Sequence, residues 1–171
     1  MYKGNKKKVE VNTMGLDMYL WREIYVGAEY THRGVTGSIE LNYQGTRLPV
    51  NFKKVSTITE EAMYWRKANA IHNWFVENVQ DGQDDCRKYW VDIDKLIELR
   101  KTIKKVLQNH KLASELLPTS VGFFFGETDY DSYYYESLEE TEKELFQIIK
   151  DYKRLTDKQR ADVNFYYESS W

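Results

Sequence analysis

Between Trp65 and Val76 the chain reads Trp65-Arg66-Lys67-Ala68-Asn69-Ala70-Ile71-His72-Asn73-Trp74-Phe75-Val76, placing two cations, two amides and an imidazole among large apolar residues. Ala68, Ile71, Phe75 and Val79 recur at three- and four-residue intervals, which predicts a helix over 65–79 with that stripe buried. At ~100° per residue, Arg66, Asn69 and Asn73 fall along one border of the stripe and His72 on its shoulder. Such a seam suits a phosphate, a carboxylate or a base edge. Arg66 would give a forked charge contact, Lys67 a second cation and Asn69 and Asn73 directional hydrogen bonds. Trp65 would give a stacking face, with aromatic support from Tyr134 in the 133–135 run. His72 is the candidate general acid or base of the segment. The plainer expectation pairs Arg66 with a surface carboxylate, sets both amides on loop backbone and makes His72 a satisfied histidine at the core edge.

A second concentration of chemistry lies in Gly122-Phe123-Phe124-Phe125-Gly126-Glu127-Thr128-Asp129-Tyr130-Asp131. In an extended chain Glu127, Asp129 and Asp131 share a face, and three carboxylates there suit a hard cation such as Mg²⁺ or Ca²⁺. No further ligand set completes such a site, and the competing reading is an acidic turn in which Asp131 or Ser132 bonds the local backbone. Asp81, Asp84 and Asp85 match only part of a calcium loop, without its closing bidentate acid. Tyr133, Tyr134, Tyr135, Tyr166 and Tyr167 offer rings for stacking or for a partner, or for the core. Cys86 stands between Asp85 and Arg87, where the carboxylates oppose thiolate formation. GxSxG, P-loop, GxGxxG and HExxH patterns are absent.

Alternation positions these segments. Leu16, Met18 and Leu20 against Asp17, Tyr19 and Trp21 predict a strand, and Ile39–Tyr43 with Leu48–Phe52 around Gln44-Gly45-Thr46 predict a hairpin. Asp81-Gly82 closes the 65–79 helix. Its start is open, because Thr57 and Glu60 have capping-box spacing and Met63-Tyr64 also suits the end of a strand. Tyr89–Val91 reads as a short strand, and Asp92 as the cap of a helix burying Leu96, Leu99, Ile103 and Val106. Val121–Phe125 reads as a buried strand. Ser137 and Glu140 have capping-box spacing ahead of a helix striped by Leu138, Leu145, Ile148, Ile149 and Tyr152, and Val163, Phe165 and Tyr167 predict a last strand. The expected fold is α+β, a mainly antiparallel sheet packed against about three helices. Residues 14–171 form its single domain, and the lysine-rich 1–13 form a flexible N-terminal extension.

At 171 residues the chain is long enough for a real core. With 25 Lys+Arg against 27 Asp+Glu it lacks the overall field that draws proteins to nucleic acid or anionic membranes. It has no run of the ~20 apolar residues that cross a bilayer. A lone cysteine and the lack of an apolar run behind the N-terminal lysines suit a cytoplasmic protein. No cofactor is implied. The 14 Tyr and 5 Trp favour binding surfaces, since their rings join apolar area to a polar tip.

The blocks Met14-Gly-Leu-Asp-Met-Tyr-Leu20, Tyr64–Val76, Leu116-Leu-Pro-Thr119 with Gly122–Gly126, and Phe165-Tyr-Tyr-Glu-Ser-Ser-Trp171 resemble a small protein family common in bacteriophages and prophages. The resemblance runs from Met14 to the last residue. It implies an accessory protein acting in the host bacterial cytoplasm. By analogy with other small phage proteins it counters host immunity, binding a defence protein or a small anionic ligand such as a nucleotide. Two rival expectations stand beside it. One is a small nucleotide-directed hydrolase or transferase using His72 with Asp129 or Asp131. The other is an anti-CRISPR-like inhibitor acting through an acidic aromatic surface of Asp81, Asp84, Asp85, Glu127, Asp129 and Asp131.

Overall fold

The alternation around Met18 and Leu20 becomes strand β1, Asp17–Tyr25, whose fully buried Met18 and Leu20 face the core. In the computed structural model, which describes residues 15–122 and 128–171, β1 pairs antiparallel with β4 (Thr57–Arg66) on one side and β6 (Val163–Ser170) on the other. The short β5, Tyr89–Val91, pairs antiparallel with β6, giving the order β4-β1-β6-β5. A separate two-stranded ribbon, β2 (Leu41–Tyr43) with β3 (Thr46–Leu48), turns through Gln44 and Gly45. Both have positive φ, 50° and 81°, as a tight two-residue hairpin turn requires.

Facing residues of the sheet, among them Met63, Trp65, Val91, Phe165 and Tyr167, join one buried cluster with the helices α1 (Asn69–Val79), α2 (Ile93–Gln108) and α4 (Ser132–Arg154). Helix α2 starts at Asp92, whose carboxylate accepts from the Asp94 amide, and it buries Leu96, Leu99, Ile103 and Val106. Helix α4 buries Leu138, Leu145 and Ile149, and Arg100 of α2 reaches Glu142 of α4 at 2.6 Å. Among the described residues, two four-residue helices, α3 (Ala113–Leu116) and α5 (Asp157–Arg160), and three single-turn 3-10 helices lie between the longer elements. The fold is α+β, as the sequence predicts, with α1, α2 and α4 as its three long helices.

Three boundaries differ from expectation. The segment 57–66 is strand, so the helix begins at Asn69 and Trp65 and Arg66 lie on β4. A bulge lets Leu20 face Met63 and Trp21 face Glu61, leaving Ala62 over. The extra residue shifts the two-residue period by one, so Ile58 and Glu60 no longer share parity with Met63 and Trp65, while the Trp65–Ala68 interval mimics a helix. Helix α4 begins at Ser132, capped by Asp131, rather than at the Ser137–Glu140 box. The Asp131 carboxylate accepts from the Tyr134 amide at 3.0 Å, and the Ser137 hydroxyl donates to the Tyr134 carbonyl inside the helix. The 133–135 tyrosines are therefore helical. The hairpin strands are shorter than expected, ending before Val50 and Phe52. The extension 1–13 and most of the strand expected at 121–125 lie outside the described residues, while Val121 is 91% exposed and not in a strand.

Candidate functional site

Between β4 and α1 the chain turns at Lys67, which has φ of 56°, an uncommon conformation for a residue with a side chain. Its amide donates to the Leu16 carbonyl at 2.7 Å, and its carbonyl accepts from the Asn69 amide at 2.9 Å. The helix that follows has Ala68 at its cap position, a residue with no side chain to serve the first-turn amides. A cavity of about 250 Å³ opens at this end of α1, lined by Lys67, Ala68, Asn69 and Ala70, and by Thr119 and Tyr133, with Asp129, Asp131, Tyr134 and Ser137 completing the wall. Asn69 is buried, and its carbonyl oxygen lies 3.4 Å from the Ser120 amide. Tyr134 is buried too, its hydroxyl donating to the Leu117 carbonyl at 2.9 Å, and burial pushes its pKa well above the usual tyrosine value. Tyr133 is exposed at the rim and donates to the Arg66 carbonyl.

Of the expected seam residues, Lys67, Asn69 and Tyr134 meet here and the others do not. Trp65 is not a stacking face. Only 5% of it is exposed, it sits edge-on to Phe75, and its Nε1 donates to Thr141 Oγ1 at 2.8 Å across the core. Arg66 points to the other side of the sheet, 3.7 Å from Asp17, because strand neighbours alternate in direction. Asn73 lies one turn along α1 in a separate cleft of about 180 Å³ with Trp74, Glu77 and Pro118.

His72 is 1% exposed, and its ring joins a buried hydrogen-bonded chain. Nε2 is 3.0 Å from Asp84 Oδ1 and Nδ1 is 2.7 Å from the Tyr167 hydroxyl. Since a carboxylate only accepts, Nε2 carries the proton and neutral Nδ1 accepts from Tyr167. Burial lowers the His72 pKa, with the Asp84 charge and hydrogen bond opposing it. The expected partnership of His72 with Asp129 or Asp131 is not formed. Those carboxylates line the α1 cavity, whereas His72 is held against Asp84, Tyr167 and Trp171. The chain ties the 80–88 loop to β6, and Phe75 stacks on Tyr167 with centroids 4.0 Å apart.

Three of the acidic residues, Asp84, Asp85 and Asp131, are engaged by neighbouring groups. Asp131 caps α4, and Asp85 bonds the Arg87 guanidinium at 2.7 Å and the Tyr89 hydroxyl at 3.0 Å. Asp84 is taken by His72, while Glu127 lies outside the described residues. Among the described residues no group of three or more His, Cys, Asp or Glu is placed to hold a metal ion. No helix among them is long and apolar enough to cross a membrane.

A larger cavity of about 410 Å³ lies at the other end of the sheet, between Ile24, Tyr152, Val163 and Phe165. Its arginines are spent on ion pairs, Arg22 with Glu60 and Arg33 with Asp162 at 2.6 Å, so it presents a mostly apolar wall. The α1 cavity has the richer set of directional groups and is the better candidate for recognition.

The sheet face away from the helices carries a feature that the sequence reading missed. Trp90, Tyr166 and Trp21 are register neighbours across three strands, and Tyr19 and Tyr64 form the next cross-strand pair. Tyr19 lies 5.4 Å from both Trp21 and Tyr64, stacked on the first and tilted on the second. The signal was present in β1, where Tyr19 and Trp21 occupy the positions alternating with buried Met18 and Leu20.

Comparison of the chain with protein-family models, characterised proteins and solved structures finds no match in any of the three.

Proposed function

We propose that the protein binds a small nucleotide-class ligand in the cavity at the start of α1, without performing chemistry on it, and that it is a phage-borne accessory protein that thereby withdraws a signal from host defence. The observation that carries this reading is the pairing of opposite demands on one small volume. Lys67 and the positive end of the α1 dipole favour an anion. Asp129, Thr119 and Ser137, lining the same cavity, favour a ligand that also presents hydroxyl or amino donors. A simple inorganic anion satisfies only the first demand, and the two carboxylates repel it. A nucleotide, with phosphate at one end and sugar or base donors at the other, satisfies both. The volume lies below the range of about 300–1,000 Å³ typical of drug-sized ligand sites, which limits the occupant to one nucleotide unit at most. The phage setting rests on the sequence resemblance alone.

A purely binding role is favoured by the placement of His72, which is buried and hydrogen-bonded to Asp84 and Tyr167 away from the cavity. The test is thermal-shift and calorimetric titration with linear and cyclic nucleotides, comparing the native protein with Lys67→Gly. Glycine adopts positive φ without the side-chain cost, so this variant removes the cation without straining the turn. The expected result is binding by the native protein, about tenfold or more weaker in the variant, with no loss of melting temperature in the absence of ligand. Equal affinity in the two proteins, or no nucleotide binding at all, contradicts the proposal.

A further inference from the structure

The outer face of the sheet is a binding surface in its own right, and we infer that it docks a protein segment presenting arginine or lysine side chains. Helices α1, α2 and α4 pack on the opposite face, leaving aromatic side chains of all four strands on this one. At its two edges Trp90 is 55% and Tyr64 43% exposed. Contiguous exposed aromatic area of this kind marks an interaction site more often than a solvent surface.

Charge selects the occupant. Asp17, Glu23, Glu61 and Glu168 rise between the rings on this side, against Arg66 and Lys88 as the cations. Three of these carboxylates raise the Tyr19 pKa, behind the larger effect of burial, which places them close to the same ring. Arg66 and Lys88 are already occupied, Arg66 beside Asp17 and Lys88 on Glu23, while Glu61 is exposed at the edge strand and forms no ion pair among the described residues. Nucleic acid needs cations set against its phosphates and meets carboxylates here. A cationic side chain meets ring faces flanked by carboxylates, the arrangement that stabilises a guanidinium or ammonium over an aromatic ring.

This face already carries an example of the contact. The Lys88 ammonium sits 4.6 Å from the centroid of Tyr166 while it pairs with Glu23. The remaining rings, Trp21 with its indole N–H held by Glu168 at 2.9 Å and Tyr19 stacked beside it, are fixed in place and offer the same chemistry to an incoming chain. Rings already ordered cost little further entropy on binding.

This surface is separate from the α1 cavity, so the two readings fail independently. The experiment is a tryptophan-fluorescence titration of the full chain with an octapeptide of alternating glycine and arginine, and in parallel with a single-stranded oligothymidylate. The proteins compared are native, Glu61→Lys, Trp90→Ser and Lys67→Gly. Glu61 and Trp90 are exposed, at opposite edges of the sheet, so each variant reports on the surface even if the other is compromised. The expected result is saturable, salt-sensitive binding of the peptide that is about tenfold weaker in Glu61→Lys, weaker in Trp90→Ser and unchanged in Lys67→Gly. Peptide affinity unaltered by both face variants, binding of the oligonucleotide in place of the peptide, or binding of neither probe overturns the inference.

Discussion

Burial holds the His72 imidazole below the ordinary histidine pKa, with the Asp84 carboxylate opposing that shift. The unfolded chain takes up its proton near pH ~6.5, whereas the folded protein does so only at lower pH. Between those two values the unfolded state binds more protons, so stability rises with pH there. The contribution is complete above the unfolded value and is lost as pH falls through the folded one. Thermal melts from about pH 7.5 to about pH 5 should therefore show a falling melting temperature, and His72→Gln should be less stable at the upper end but flatter across the interval. Parallel profiles would contradict this role. Of the residues named from the sequence, Lys67, Asn69 and Tyr134 were brought together around the cavity at the start of α1. Trp65 and Arg66 were not, because strand or helix decides which way each points. The partner of His72 was hidden too, since Asp84 lies beyond a turn and Tyr167 is ninety-five positions away.

Elements with an unbroken period were readable in advance. Helix α2 follows from Asp92 and the Leu96, Leu99, Ile103 and Val106 stripe, and α1 ends where Asp81 and Gly82, at φ of 52° and 74°, take left-handed conformations. The bulge at Ala62 defeated the reading of β4, and two competing caps defeated the start of α4. Asp131 lies one turn and a half before Ser137 and captures the Tyr134 amide, so the helix begins earlier and carries Tyr133 and Tyr134 to the cavity. Asp131→Ala should therefore cost about 0.5–2 kcal/mol in denaturant unfolding, the usual range for a lost cap, and should loosen that wall. An unchanged unfolding midpoint would remove Asp131 from this role. Leu99→Ala, at a fully buried position of α2, should cost about 2–5 kcal/mol by the same measurement through lost burial and cavity formation. A loss below about 1 kcal/mol would mean that the site relaxes around the smaller side chain.

Across the whole molecule the sheet separates two kinds of surface. One face holds the helices and, at the start of α1, the directional groups around Lys67 and Asn69. The other carries the aromatic carpet between carboxylates. The α+β class followed from local periodicity, but strand order did not, because β6, the last strand of the chain, lies beside the first. For the same reason the outer aromatic row, assembled from β1, β4, β5 and β6, had no sequence signature longer than two residues. The claim that matters most is that the start of α1 binds a nucleotide-class ligand, and localisation tests it most directly. In an amide-resolved NMR titration with the nucleotide panel, the predicted result is saturable shifts centred on Lys67, Asn69, Ala70 and Thr119, with the Trp90 and Tyr166 amides unmoved. Shifts confined to the outer sheet face, or no saturable shift with any nucleotide, would contradict it.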